Sequence, residues 1–227
     1  MFKIYLMDPE FITYQQFNDI ALANELAVLL EEHNISYLVE EEALTFDPSF
    51  AYNGNTRSFA VKIKSADFEL ANELLKENAN ESLGDVEKDY YLFAFTDDEL
   101  TDVVTKADEW NAFDVQLARK LLAERGKAIS DDELEAIEEK RIEELKVPEP
   151  PQTSWIIIGY IVAFFGGLFG IFIGWHLFTY KKTLPDGERV FDYNERDRKH
   201  GKRIFYISIV VLAICIIYRL IPVFTGD

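Results

Sequence analysis

The chain has 227 residues, with 23 Lys+Arg against 41 Asp+Glu and one cysteine. The net charge of −18 argues against a nucleic-acid surface, because acidic protein repels phosphate, and the lone Cys215 excludes an internal disulfide. The charge is uneven: residues 1–152 carry −21 and residues 153–227 carry +3.

The opening MFKIYLMDPEFITY lacks the basic start and small-residue cleavage site of a signal peptide. Residues 2–6 and 11–14 are short apolar runs broken by Asp8-Pro9, so one or both read as strand. Asn18 is a helix N-cap, and Ile20, Ala23, Ala27 and Leu30 give one apolar face. The helix ends near His33-Asn34, where asparagine tolerates the left-handed conformation. Residues 35–39 (ISYLV) read as a strand. Residues 43–56 form an irregular loop holding Asp47-Pro48 and Asn53-Gly54. Residues 57–64 (RSFAVKIK) alternate Phe59, Val61 and Ile63 with polar partners, as a half-buried strand does. Ser65 caps a second helix, with Asp67 in its first turn. Both helices contain LANEL, at 22–26 and 70–74. A shared pentamer suggests two helices packed on one face of an antiparallel sheet, or a chance repeat of helix formers.

The order β-α-β-β-α is most of a ferredoxin-like plait. The runs FDPSF at 46–50, FAVKIK at 59–64 and ADFELANELL at 66–75 resemble the prokaryotic signal-transducing protein family, a small domain of unknown function. The resemblance covers residues 11–80 and implies a ferredoxin-like fold and a bacterial source, with no catalytic residues to carry over. Asp47, Pro48 and Phe50 could line a ligand groove, or Asp47-Pro48 could simply shape a turn. The ligand is unknown. Glu40-Glu41-Glu42 reads as a solvated strand end.

Residues 90–95 (YYLFAF) read as a last strand. Three helices follow. Thr96 and Glu99 form a capping box, Asn111 caps a helix that ends at Gly126, and Ser130 and Glu133 form a second box. The 90–126 stretch (DDEL, ADEW, DVQLARKLLAERG) resembles a segment that follows such domains in Bacteroidetes proteins. Trp110, beside Asp108-Glu109, is a recognition surface or the cover of a helix junction. The last helix, 131–146, is polar almost all round, with a thin stripe of Leu134, Ile137, Ile142 and Leu145 suited to docking. VPEPPQ (147–152) is a semi-rigid spacer.

Residues 154–179 hold no Asp, Glu, Lys or Arg. Trp155 and Trp175 are spaced on a helix by about 30 Å, the thickness of the hydrocarbon core, and read as interface anchors. Gly166, Gly170 and Gly174, extended by Ala163 and Gly159, form a small-residue stripe. Such a stripe lets another helix approach closely, or it only tolerates flexibility. Residues 204–218 are a second apolar run and the natural partner for the stripe; another membrane protein or self-association is the alternative. Membrane lipid is a further expected partner, and the acidic domain is expected to bind a ligand or a protein.

Orientation is contested. The 180–203 loop has eight Lys/Arg, which the positive-inside rule puts in the cytoplasm. A simple hairpin then places the acidic domain outside, yet that domain shows no export signal. A first segment re-entering at Gly166-Gly167 satisfies both rules, but the Trp spacing opposes it. The adopted expectation is a multi-pass protein of the bacterial inner membrane with a cytoplasmic domain.

The expected class is α+β. An N-terminal ferredoxin-like domain (1–89) is followed by a helical neck (90–146), a Pro-rich linker (147–153) and two transmembrane helices (154–225). The chain carries no dinucleotide, phosphate-loop, zincin, CxxC or nucleophile-elbow motif. His33, His176 and His200 lack metal-ligand spacing. Asp192, Glu195 and Asp197 alternate with basic residues and read as a self-neutralised solvated loop. No catalytic residue, metal or cofactor is assigned. The expected function is that of a membrane-tethered, non-enzymatic regulatory or adaptor module; the alternative is an accessory subunit of a membrane complex.

Overall fold

The computed structural model describes residues 11–43, 57–87 and 89–225. Asp47, Pro48 and Phe50, and the strand expected over 2–6, lie outside them. The chain divides into two units. The first comprises the described residues up to Glu144 together with Thr183–Glu188; the second takes Leu145–Lys182 and the residues from Arg189 onward.

The first unit opens with β1 (Phe11–Phe17), α1 (Ile20–Glu32), β2 (Tyr37–Ala43), β3 (Arg57–Lys64) and α2 (Phe68–Ser82). The strands form an antiparallel sheet in the order β1-β3-β2. The register of β1 shifts between Thr13 and Gln15. This bulge resets the side-chain alternation, so Ile12, Tyr14 and Phe17 all reach one core. Val61 and Ile63 of central β3 are fully buried there with Ala23, Leu26 and Leu30 of α1 and Ala71 and Leu74 of α2. The two LANEL copies behave alike: Ala23 and Ala71 point inward, Leu26 and Leu74 follow, and Leu22 and Leu70 are exposed. The sheet's other face is polar. Lys62 bridges Glu40 at 2.6 Å and Glu42 at 2.9 Å, and Gln16 donates to Glu42. Glu40 and Glu42 therefore form part of a cross-strand ladder.

Local signals differ from expectation at two helix starts. The N-cap of α1 is Asp19, whose carboxylate accepts from Ala21 N, rather than Asn18. Ser65 opens a short 3-10 turn, and its hydroxyl donates to the Gly187 carbonyl at 2.6 Å instead of capping α2. Asn34 ends α1 with φ +60°, as expected for this residue.

YYLFAF is not a strand. Tyr91–Ala94 is a 3-10 turn, so among the described residues this sheet has three strands and not the fourth of a ferredoxin-like plait. Leu92 instead enters a second core with α3 (Asp97–Thr105) and α4 (Ala112–Glu124), buried with Leu100, Val103, Leu117 and Leu122. Both expected capping boxes are formed, and Gly126 takes φ +77° past the end of α4. Helix α5 (Asp131–Lys146) buries no residue. It docks through the expected stripe at Leu134, which packs on the second core, and through charge: Arg141 grips Asp108 at 2.8 Å and Glu109 at 2.6 Å, and Lys76 meets Glu138. Trp110 packs edge-on against Phe95 at the same junction.

The second unit corrects the reading of 154–179. The uncharged run is two helices, α6 (Thr153–Gly166) and α7 (Leu168–Thr179), parted by Gly167 at φ +56°. A β-carbon at Gly170 would lie 2.9 Å from the Ala163 backbone, and one at Gly159 would lie 3.2 Å from Ile173. The two helices thus fold back on each other. After them, β4 (Lys181–Thr183) and β5 (Arg189–Phe191) form a small hairpin, and α8 (Glu195–Thr225) closes the unit. Among the described residues α8 alone is long and apolar enough to cross a membrane, over Glu195–Arg219.

Candidate functional site

The second unit combines small, polar and aliphatic groups on the inside. Ala163, Leu177 and Ile204 make its core with Ile156. A β-carbon on Gly174 would stand 2.5 Å from Phe205 N and 2.8 Å from Gly201 O, and one on Gly201 would stand 2.6 Å from the Leu177 side chain. A β-carbon on Gly170 would collide with the Ser208 hydroxyl, and one on Gly159 would lie 2.9 Å from Ile204. These contacts pair α7 antiparallel with α8. At Gly170, Gly174 and Gly201 the glycine is needed because neighbouring backbone comes this close, whereas Gly159 meets only the side chains of Ile173 and Ile204. The expected stripe is therefore split between two helices. Gly159 and Ala163 on α6 and Gly170 and Gly174 on α7 face each other and α8, within one chain. Gly166 is the last residue of α6.

Large apolar side chains point outward. Phe165 is 90% exposed, and Phe164, Phe169, Phe172, Ile158 and Ile161 are also exposed. The fold-back brings Trp155 and Trp175, each 55% exposed, to the same end of the hairpin. They do not mark two opposite ends of one long helix. Gly167 lies against Leu212 of α8. By helix rise this is about 12 Å along α8 from Ile204, and α8 continues past the bend.

The polar end of this unit is tied together more than its sequence suggested. Asp197, fully buried, accepts from Gln152 N at 2.7 Å and from Asn194 Nδ2 at 3.1 Å, and its own N–H donates to Asn194 Oδ1. One carboxylate thus joins the starts of α6 and α8, where the helix dipoles favour negative charge. Its Oδ1 is buried without a hydrogen-bond partner. Asp192 pairs with Lys182 at 3.3 Å and Glu195 with Lys199 at 2.7 Å. The three acids are not gathered into a cation site, and Asp197 is not solvated. The linker is no free spacer: Glu149 N donates to Asp192 O, and Lys182 to Val147 O. Tyr160 bonds His200, and His176 bonds Tyr193, each at 3.1 Å.

The first unit contains a buried acid that the sequence reading did not single out. Asp114, 2% exposed, lies in the first turn of α4. It accepts from Tyr90 at 2.6 Å, Tyr91 at 2.5 Å and Asn111 Nδ2 at 2.5 Å. Burial first, then the hydrogen bond to Asp114, pushes the Tyr90 phenol up to about 12. Tyr91 is raised for the same reasons. Three donors and a helix N-terminus hold the carboxylate, a structural arrangement that satisfies a buried acid. Asn72, inside the second LANEL, accepts from the buried Tyr14 phenol at 2.7 Å and donates to the Pro185 carbonyl at 3.0 Å. Pro185 belongs to the turn Leu184-Pro185-Asp186-Gly187, where Gly187 takes φ +81°. That proline-aspartate-glycine run was a readable turn signal.

Other signals were also present. Asn194 and Asp197 have capping spacing, and Gly201, Ile204 and Ser208 share one face of α8 at i, i+3, i+7. Among the described residues no group of His, Cys, Asp and Glu is arranged to hold a metal. Cys215 is exposed. No family model matches the chain, and no similar curated protein or solved structure was found.

Proposed function

We propose that this protein is a membrane-tethered adaptor whose acidic unit binds a ligand or protein partner. In this reading the α6–α7 hairpin enters and leaves the bilayer from one side and α8 crosses it once. The observation that carries the proposal is the inverted second unit, with glycine, serine and aspartate inside and phenylalanine outside. Such a surface is costly in water and stable in lipid. A re-entrant hairpin also places the acidic unit and the eight Lys/Arg of 180–203 on one side, the cytoplasmic one by the positive-inside rule. An accessory subunit attached through the glycine stripe would need that stripe free, and α8 already packs on Gly170 and Gly174.

The test is thiol accessibility in whole cells, in a Cys215→Ser background. Cysteines introduced at Ser154 and Thr179 should react with impermeant reagent from the same side, and a tag after Asp227 should lie on the other. Labelling of 154 and 179 from opposite sides would restore a spanning 154–179 segment. Release of the protein by alkaline carbonate would remove the membrane reading altogether. For the adaptor role, a soluble protein should co-purify with the full chain in mild detergent; a full chain that retains none would remove the adaptor role and leave the membrane tether.

A further inference from the structure

We infer that the lipid-facing side of α8 forms a binding site for anionic phospholipid. This rests on the membrane reading above. Helix α8 has two unlike faces. Asp197, Gly201, Ile204 and Ser208 are fully buried or nearly so against α6 and α7. Arg196, Lys199, Lys202 and Arg203 are all on the exposed side. Of these, Lys199 meets Glu195; Arg196, Lys202 and Arg203 have no acidic partner among the described residues. Going along the same face, the exposed residues become Tyr206, Ile209 and Val210.

One continuous face thus passes from cationic to aromatic to aliphatic, which is the order of groups down a phospholipid. The level is also right. Gly174 packs on Phe205, so the next residue, Trp175, lies beside the Arg203–Tyr206 turn, at the headgroup depth that tryptophan prefers. Basic side chains there meet phosphate, and the aliphatic steps below meet an acyl chain. Free phosphate would satisfy the first part of this face and not the second. The chemistry selects a lipid with net negative charge, such as phosphatidylglycerol, over zwitterionic phosphatidylcholine.

The experiment uses the full chain in mild detergent, with phosphatidylglycerol and phosphatidylcholine of identical acyl chains offered together and retained lipid counted by native mass spectrometry. The wild type should prefer phosphatidylglycerol by roughly tenfold or more, since each basic side chain at an anionic surface contributes about fivefold. R196Q/K199Q/K202Q/R203Q should bring the preference near parity, and R196K/K199R/K202R/R203K should keep it. Equal binding of the two lipids by wild type, or full preference in the glutamine variant, overturns the site. Displacement of the lipid by millimolar inorganic phosphate overturns the assignment to lipid. Carbonate-resistant protein without lipid preference sinks this inference alone, whereas carbonate release sinks the membrane reading beneath it.

Discussion

Both units bury aliphatic side chains, but they differ in what they add to the core and in what they leave outside. In the first, leucine, isoleucine and valine go inward, with Leu30, Ile63, Leu100 and Leu117 buried, and charge covers the outside. In the second, Gly170, Gly174, Gly201 and Ser208 are inside while Phe164, Phe165, Phe169 and Phe172 face out. Water drives the first arrangement, because removing apolar area from it is favourable. In lipid that drive is absent, and close packing of small residues decides which faces meet. On the proposed membrane reading, the difference is that of a chain folded for two solvents.

The largest effect should come from filling the second unit's interior. Gly174→Leu would press on the backbone of Phe205 and Gly201, so the helices must part. The cost should exceed the ~1–3 kcal/mol of ordinary overpacking. Phe178 and Phe205 rings lie 5.4 Å apart, so F178C/F205C in a C215S background should cross-link, and G174L should abolish the link. A link that survives means α7 and α8 do not meet there. Next is the exterior. Phe169→Asp places a charge against lipid at about 2.5–3.5 kcal/mol. It should expose a thiol introduced at Phe165 to impermeant reagent, silent in the parent. A thiol already reactive in the parent would mean that this surface faces water and that the contrast between the units is false.

The first unit should respond to a different chemistry. Asp114→Ala strands the donors of Tyr90, Tyr91 and Asn111 and should cost about 2–3 kcal/mol, read as a lowered melting midpoint of that unit alone. Tyr90 contributes to its alkaline response, beside Tyr91 on the same carboxylate. That phenol is raised from 10.0 to about 12 in the folded chain. The unfolded chain therefore releases the proton first, and the stability is present below pH 10 and lost as pH rises toward 12. Tyr90→Phe should flatten the melting midpoint over that interval; an unchanged slope would assign the alkaline loss to other groups. The smallest effect belongs to Lys76→Ala. Its pair with Glu138 is about half exposed on both sides, and exposed pairs contribute roughly 0–1 kcal/mol. A larger loss would show that α5 relies on this contact.

How much of this was readable depended on the range of the signal. β3 and the caps at Thr96, Asn111 and Ser130 were legible because alternation and side-chain capping act within a few residues. The LANEL repeat correctly anticipated two helices sharing one core. YYLFAF misled because apolar and aromatic residues favour strands only where a neighbouring strand exists; here Leu92 had a helical core to fill. Residues 154–179 misled for a related reason. Hydropathy does not distinguish one long helix from two shorter ones folded together; the Gly166-Gly167 pair offered the bend, and the spacing of Trp155 and Trp175 argued wrongly against it. The inward Asp197 was hidden among Arg196, Arg198 and Lys199, since charge alternation carries no information about which side of a helix is covered.

The bend at Gly167 has a consequence for the bilayer itself. On the proposed topology three helices occupy the cytoplasmic leaflet and only α8 continues into the other. At about 10 Å of diameter per helix, the unit displaces much more area from one leaflet than from its opposite. It is a wedge, and a wedge relaxes where its broad side lies on the convex surface. Reconstituted with the basic end outward, the protein should concentrate on the smallest vesicles of a mixed population. Equal density on all sizes would show that lipid flows in beneath the hairpin and levels the two leaflets.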